Sequence, residues 1–271
     1  MIELDFSTRA EIDEQMDGPC SYEELRACLR DLAVMNRLTQ AHGPTMLWLE
    51  HMLCSASQNA SETQAEYLKP LKLVDVGCGY GDMLRQIERW AAKRNVAMDL
   101  LGVDVNANAI RAAREAAPAV SRVRYAVGDV CACAEAQNAD LITVSAVTHH
   151  LSESEILRLL QWMGRTARVG WIITDLHRMP TPYRAFSVLA RGPWWHRFIR
   201  PDGLASIRRA FREEDWVRMC AAAGMQQDAV EIRTHRPARL AVSSKQPASH
   251  SRAGPDSRMS ERSDVELPQV S

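Results

Sequence analysis

The 271-residue sequence has no sustained apolar run of 18 residues, so it offers no transmembrane helix. Its opening, MIELDFSTRAEIDEQMDG, is acidic and lacks the apolar stretch of a secretory leader. Charge of one sign is not in excess: 33 Lys and Arg stand against 34 Asp and Glu. No global field therefore recruits nucleic acid or an anionic membrane. The seven cysteines, at 20, 28, 54, 78, 131, 133 and 220, are odd in number and scattered, which predicts reduced thiols and a cytoplasmic protein. Cys131 and Cys133 form CxC, not the CxxC of common zinc sites. The CxxxCxxC run of a radical iron–sulfur centre is also missing.

What is present is an α/β pattern. SYEELRACLRDLAVMNRL shows helical periodicity behind a Ser21/Glu24 capping box, and a second helix is expected over 44–55. From residue 71 short apolar strands (LKLVDVG, DLLGVDV, VRYAVGDV, ADLITVSAV, GWIITDL) alternate with amphipathic helices, which predicts a mostly parallel sheet covered on both faces. FREEDWVRMCAAAG is a later helix stopped at Gly224; with Arg212 at its start it lacks an ordinary cap. DAVEIRT and RLAVSS complete the pattern as an antiparallel pair. Residues 1–20 read as a flexible acidic lead-in. Residues 245–271, rich in Ser, Pro, Arg and Asp, read as a disordered tail.

The most informative stretch is VDVGCGYGD, residues 74–82, between a strand and a helix. Gly77, Gly79 and Gly81 allow a tight turn and close backbone approach to a ligand. The free N–H groups of the following helix suit an anion. A dinucleotide fingerprint, GxGxxG or GxGxxA, would place its third small residue at Asp82, so the spacing argues against a NAD-type oxidoreductase.

This DxGxGxG loop, with Asp75 two residues before the first glycine, resembles the first motif of the class I S-adenosylmethionine-dependent methyltransferases. The resemblance continues at three strand ends and covers about residues 68–243. It implies a seven-stranded Rossmann-like doubly wound sheet, mostly parallel with the last strand antiparallel, over residues 69–244. It implies S-adenosylmethionine as cofactor, cradled by Asp75, Gly77, Cys78, Gly79 and Gly81. Asp104, with Val105 after it, falls where the family holds both ribose hydroxyls; a carboxylate suits that task because it accepts two O–H bonds. Asp129 and Val130 fall beside the adenine, and Ser145 ends the fourth strand. No DPPY, NPPY or Pro-Cys follows that strand, so base amino-methylation and pyrimidine C5 chemistry are not expected. Ser145 stands where magnesium-dependent catechol-type members carry Asp, so no metal is expected.

Two readings of THHLSESE remain open. His149 and His150 follow the fourth strand, where acceptor and sulfonium would meet, and a neutral imidazole can take a proton there. They can equally be pocket-floor residues leading into a helix capped by Ser152 and Glu155, as in family members whose similar stretch has no catalytic role. His177, in TDLHR beside Asp175, is a third candidate base.

Residues 177–210 are longer than an ordinary connection and carry seven arginines and five of the 16 aromatics. With helices 21–68 they are expected to form a lid, with Tyr183, Trp194, Trp195 and Arg37 touching the acceptor. The arginines can grip a carboxylate or phosphate, or simply pair with the acidic lead-in. The expected activity is methyl transfer to a small molecule, first O-methylation of a phenolic, polyketide-like or quinone-like metabolite, then C-methylation of an activated ring. The competing classes are a non-catalytic cofactor-binding protein and a NAD-type oxidoreductase. A monomer or homodimer with no nucleic acid partner is expected.

Overall fold

The computed structural model describes residues 4–58 and 69–245, the side chains of 54–58 excepted. The segment 59–68 and the expected tail beyond Lys245 fall outside the described residues.

Five strands run parallel: β1 (Leu71–Val76), β2 (Met98–Asp104), β3 (Arg124–Val127), β4 (Leu141–Ser145) and β5 (Gly170–Leu176). β6 (Val230–His235) and β7 (Arg239–Ser244) complete a seven-stranded sheet of order β3-β2-β1-β4-β5-β7-β6. β7 is antiparallel to both neighbours, as the final pair of apolar segments predicts. The inner strands are almost continuously buried, because helices cover both faces.

Alternate residues serve the two faces. Leu73, Leu100, Leu141 and Ile172 pack with Trp48, Leu84, Ile87 and Ile110, from α2 (Gly43–Gln58), α3 (Asp82–Arg94) and α4 (Ala107–Ala116). Val74, Leu101, Ile142 and Ile173 pack with Ile156, Leu160, Trp216 and Met219, from α5 (Glu153–Thr166) and α8 (Glu213–Ala222). α2 is therefore a core helix, not part of a lid: Leu49 and Met52 are buried against the sheet. The uncapped start of α8 is compensated by Asp215, which accepts from the Arg212 backbone N–H at 2.9 Å.

Three helices do cover the C-terminal ends of the strands. α1 (Tyr22–Leu38) begins at the predicted Ser21/Glu24 box and packs on α4 through Leu25, Leu29, Ala109 and Ala112. α6 (Pro180–Leu189) and α7 (Ile199–Arg209) join α1 through Cys28, Met35, Phe198 and Ile199.

The acidic lead-in is not loose. Phe6 is buried against Tyr183, with ring centroids 5.5 Å apart. The Arg9 guanidinium donates to the carbonyls of His149 and Arg209 at 2.6 and 2.7 Å. Asp202 on α7 accepts from the backbone N–H groups of Gln15 and Met16. Composition alone misreads this segment, because its partners lie nearly 200 residues away. Among the described residues, no helix is long and apolar enough to cross a membrane.

Candidate active site

The strand order reverses between β1 and β4, and ligands of doubly wound sheets bind at such a switch point. A cavity of about 1150 Å³ opens there, running from the glycine loop to the two histidines under α1, α6 and α7.

At one end the loop turns through left-handed φ values at Gly77 (+63°), Gly79 (+50°) and Gly81 (+71°), where L side chains are strained. A Cβ on Gly77 would meet Val147 Cγ2 at 2.4 Å, and one on Gly81 would meet the Tyr125 hydroxyl at 2.5 Å. A Cβ on Gly79 would enter open space instead, so that backbone faces the cavity. Gly81 itself packs inward and does not line it.

Asp104 ends β2 at the cavity wall. Its Oδ2 accepts from the Gly79 N–H and its Oδ1 from the Asn106 N–H, each at 2.8 Å. Burial pushes its pKa up, and those two N–H donors only partly offset this. Val105, Asp129, Val130 and Ser145 also line the cavity. Asp129 accepts from the Cys131 N–H at 2.9 Å and pairs with Arg158 at 2.8 Å.

Asp75 is buried, and Thr143 Oγ1 donates to it at 2.7 Å. Burial pushes its pKa up from 3.8 to about 7 despite that hydrogen bond. The sign follows: a carboxyl raised on folding favours the folded state while protonated, so its contribution falls as pH rises from about 4 to about 7. Asp75→Asn keeps an acceptor for Thr143 and removes the buried charge. It is expected to melt a few degrees above the parent at pH 8, with the gap narrowing at pH 5, in thermal scans across that range.

At the other end, Thr148–His150 form a 3-10 turn after β4. His149 is buried, and its Nδ1 lies 2.7 Å from Asp175 Oδ1 on β5. Asp175 Oδ2 accepts from Thr148 Oγ1 at 2.5 Å and from the His149 N–H at 3.0 Å. Burial alone would push the Asp175 pKa up, but His149 and these donors outweigh it and hold it well below the usual range. His150 Nδ1 lies 3.1 Å from Asp17 Oδ2. Burial opposes charge on His150, yet Asp17 and Glu14 outweigh it and raise its pKa. The two imidazole centroids are 4.2 Å apart.

Glu14 completes this end from the lead-in. It is buried, accepts from Ser206 Oγ at 2.9 Å, and presents Oε1 3.7 Å from His149 Nε2 and Oε2 3.8 Å from His150 Nε2. The expectation of no metal rested on Ser145 and took no account of Glu14, which with His149 and His150 forms a group of metal-ligand chemistry.

Several predicted contacts lie elsewhere. His177 does not line the cavity; its backbone bonds to Ala238 and bridges to Phe211, and burial lowers its pKa. Asp175 orients His149 instead. Tyr183 packs on Phe6, Trp194 is 73% exposed, Trp195 donates to the Leu189 carbonyl, and Arg37 is not among the lining residues. The cavity wall under α1, α6 and α7 is instead formed by residues such as Leu25, Cys28, Leu29, Leu32, Phe186 and Ile199. Of the arginines of 177–210, Arg178 binds Asp215 and the Phe6 and Ser7 carbonyls, Arg209 binds the His149 carbonyl, and Arg197 pairs with Glu24 at the surface. Next to the glycine loop, Asn36 and His42 both reach Asp82, at 3.2 and 2.8 Å, a contact the sequence does not announce.

The sequence profile of the family described as "Methyltransferase domain" matches residues 73–170, which hold the loop, Asp104, Asp129 and both histidines. Residues 73–170 thus match the methyltransferase-domain family. The domain is 33% identical over 143 residues to a trans-aconitate 2-methyltransferase of Azoarcus sp. (strain BH72). That match spans 51% of this chain and about half, 52%, of the relative. Among solved structures, the plantazolicin methyltransferase BpumL in complex with SAH aligns over 83% of this chain and 96% of its own, with a TM-score of 0.55 and 13% identity. A SAM-dependent methyltransferase from Aquifex aeolicus aligns over 83% and 98%, with a TM-score of 0.53 and 15% identity. At such identities the likeness concerns the methyltransferase fold.

Proposed function

We propose that the chain transfers a methyl group from S-adenosylmethionine to an oxygen of a small molecule. The observation that carries this reading is one cavity with a glycine-loop cradle at one end and an oriented histidine–carboxylate group at the other.

The cradle fits the cofactor. Gly79 leaves its Cβ direction open to the cavity, and Asp104 retains acceptor capacity beyond the two backbone N–H groups it already holds. Asp104 takes the ribose hydroxyls, Asp129 and Val130 flank the adenine, and Asp75 with the loop faces the amino-acid end. Bound there, S-adenosylmethionine supplies an electrophile already activated by its sulfonium. The protein's task is then orientation, worth roughly 7–11 kcal/mol, more than a base at about 10²–10⁴-fold.

The apolar wall of Leu25, Leu29, Leu32 and Phe186 suits a flat or greasy acceptor body. His149, His150 and Glu14 lie where its hydroxyl would end, and together they take up the proton. Asp175 fixes the His149 ring.

Calorimetric titration with S-adenosylhomocysteine and with NAD separates this reading from an oxidoreductase; saturable binding of the first alone is expected. Incubation with labelled S-adenosylmethionine and a panel of phenols should then yield a product heavier by one methyl. No binding of S-adenosylhomocysteine would sink the reading. Binding without product from any phenol or cell extract would leave a non-catalytic binder.

A further inference from the structure

We propose that Glu14, His149 and His150 form a site for one borderline divalent cation of the Zn²⁺ or Co²⁺ kind, open towards the acceptor end of the cavity. One donor atom from each residue lies within 4.8 Å of the other two. The two Glu14 oxygens face different rings, at 3.7 Å from His149 Nε2 and 3.8 Å from His150 Nε2. Ligands at about 2.0–2.1 Å from a tetrahedral ion stand roughly 3.3 Å apart, so the three donors would draw together around a bound cation.

Both rings are held as ligating histidines usually are. Each Nδ1 is engaged by a carboxylate, Asp175 for His149 and Asp17 for His150, which turns the two Nε2 atoms towards Glu14. Among the described residues neither Nε2 makes a hydrogen bond, so the lone pairs these carboxylates orient are unused. Two imidazoles and one carboxylate suit Zn²⁺, Co²⁺ or Fe²⁺ rather than Mg²⁺ or Ca²⁺. The frame is rigid: Ser206 fixes Glu14, while Thr148 and the His149 N–H grip Asp175. The competing cation is Arg209, whose Nη1 stands 3.6 Å from Glu14 Oε1, beyond hydrogen-bond length.

All three residues line the cavity, so the remaining coordination positions face the acceptor space, the pattern of catalytic rather than closed structural sites. What the cation does rests on the methyl-transfer reading: it would bind the acceptor oxygen and favour its deprotonation. With the cation bound, His149, His150 and Glu14 would serve as its ligands in place of accepting the proton, which would leave to water.

The test uses untagged full-length protein stripped with a chelator, titrated with Co²⁺ and with Zn²⁺ by calorimetry, with the visible Co²⁺ spectrum recorded. One equivalent bound at micromolar affinity or tighter is expected, with new visible bands. Glu14→Gln, which keeps the shape and the Ser206 contact, and His150→Ala should each weaken binding at least tenfold. His235→Ala, on β6, should not. No saturable binding, or binding that both site variants leave unchanged, would overturn the proposal. S-adenosylhomocysteine titration of the same samples separates the two readings: cation failure with this binding intact removes the metal site alone, whereas its loss in the parent removes methyl transfer.

Discussion

Asp104→Ala is expected to weaken S-adenosylhomocysteine binding at least 100-fold while the protein stays folded. The carboxylate is fixed between the Gly79 and Asn106 N–H groups at 2.8 Å each, so it meets a ligand without reorganising. Hydrogen bonds to a charged group contribute about 1.5–3 kcal/mol each. In the proposed cofactor site, two ribose hydroxyls would then account for roughly 3–6 kcal/mol, or about 10²–10⁴ in affinity. Alanine also frees the Gly79 N–H and loosens the loop, which adds to the loss. Asp104→Asn, which keeps one acceptor oxygen, should fall between parent and alanine. Calorimetry on the three proteins decides the matter, and an alanine variant within threefold of the parent would remove Asp104 from the cofactor site.

Asp175→Ala is expected to lower the unfolding temperature by about 8 °C or more. This buried carboxylate accepts from Thr148 Oγ1, the His149 N–H and the Leu176 N–H, and holds His149 Nδ1. Each buried donor left without a partner costs about 1–3 kcal/mol. Four such groups, partly relieved by relaxation, amount to at least about 4 kcal/mol, and each kcal/mol lowers Tm by about 2–4 °C at this size. The methylated-product rate should fall as well, because the His149 ring loses its orientation. A Tm within 2 °C of the parent in a thermal scan would show that this carboxylate does not organise the strand ends.

The glycine loop and the strand-end acids at one end of the cavity are legible in the sequence because they are written locally. Asp75, the three glycines and Asp104 lie at fixed offsets from strand ends, and strand ends are marked by apolar runs that stop at glycine or acid. The capping boxes at Ser21 and Ser152 were readable for the same reason. The histidine end is not. Glu14 reads as one acid among many in a polar stretch, and only Ser206, Arg209 and the histidines give it a role. Trp194 and Trp195 suggested a substrate wall by residue type. In the structure Trp194 covers Gly192 at the surface and Trp195 packs on the lid helices, while Leu25, Leu29 and Leu32, which look like ordinary helix-packing residues, face the cavity. His177 beside Asp175 looked like a pair, but the carboxylate is spent on the 3-10 turn after the neighbouring strand.

The placement of Glu14 also splits the histidine end of the cavity between two stretches of chain. The segment matched by the family profile, 73–170, carries both histidines but not the acid that faces them. The trio is therefore complete only when the segment before α1, stitched down by Arg9 and Asp202, is docked. Releasing residues 4–20 would take Glu14 away from the histidines and leave the glycine loop and Asp104 in place.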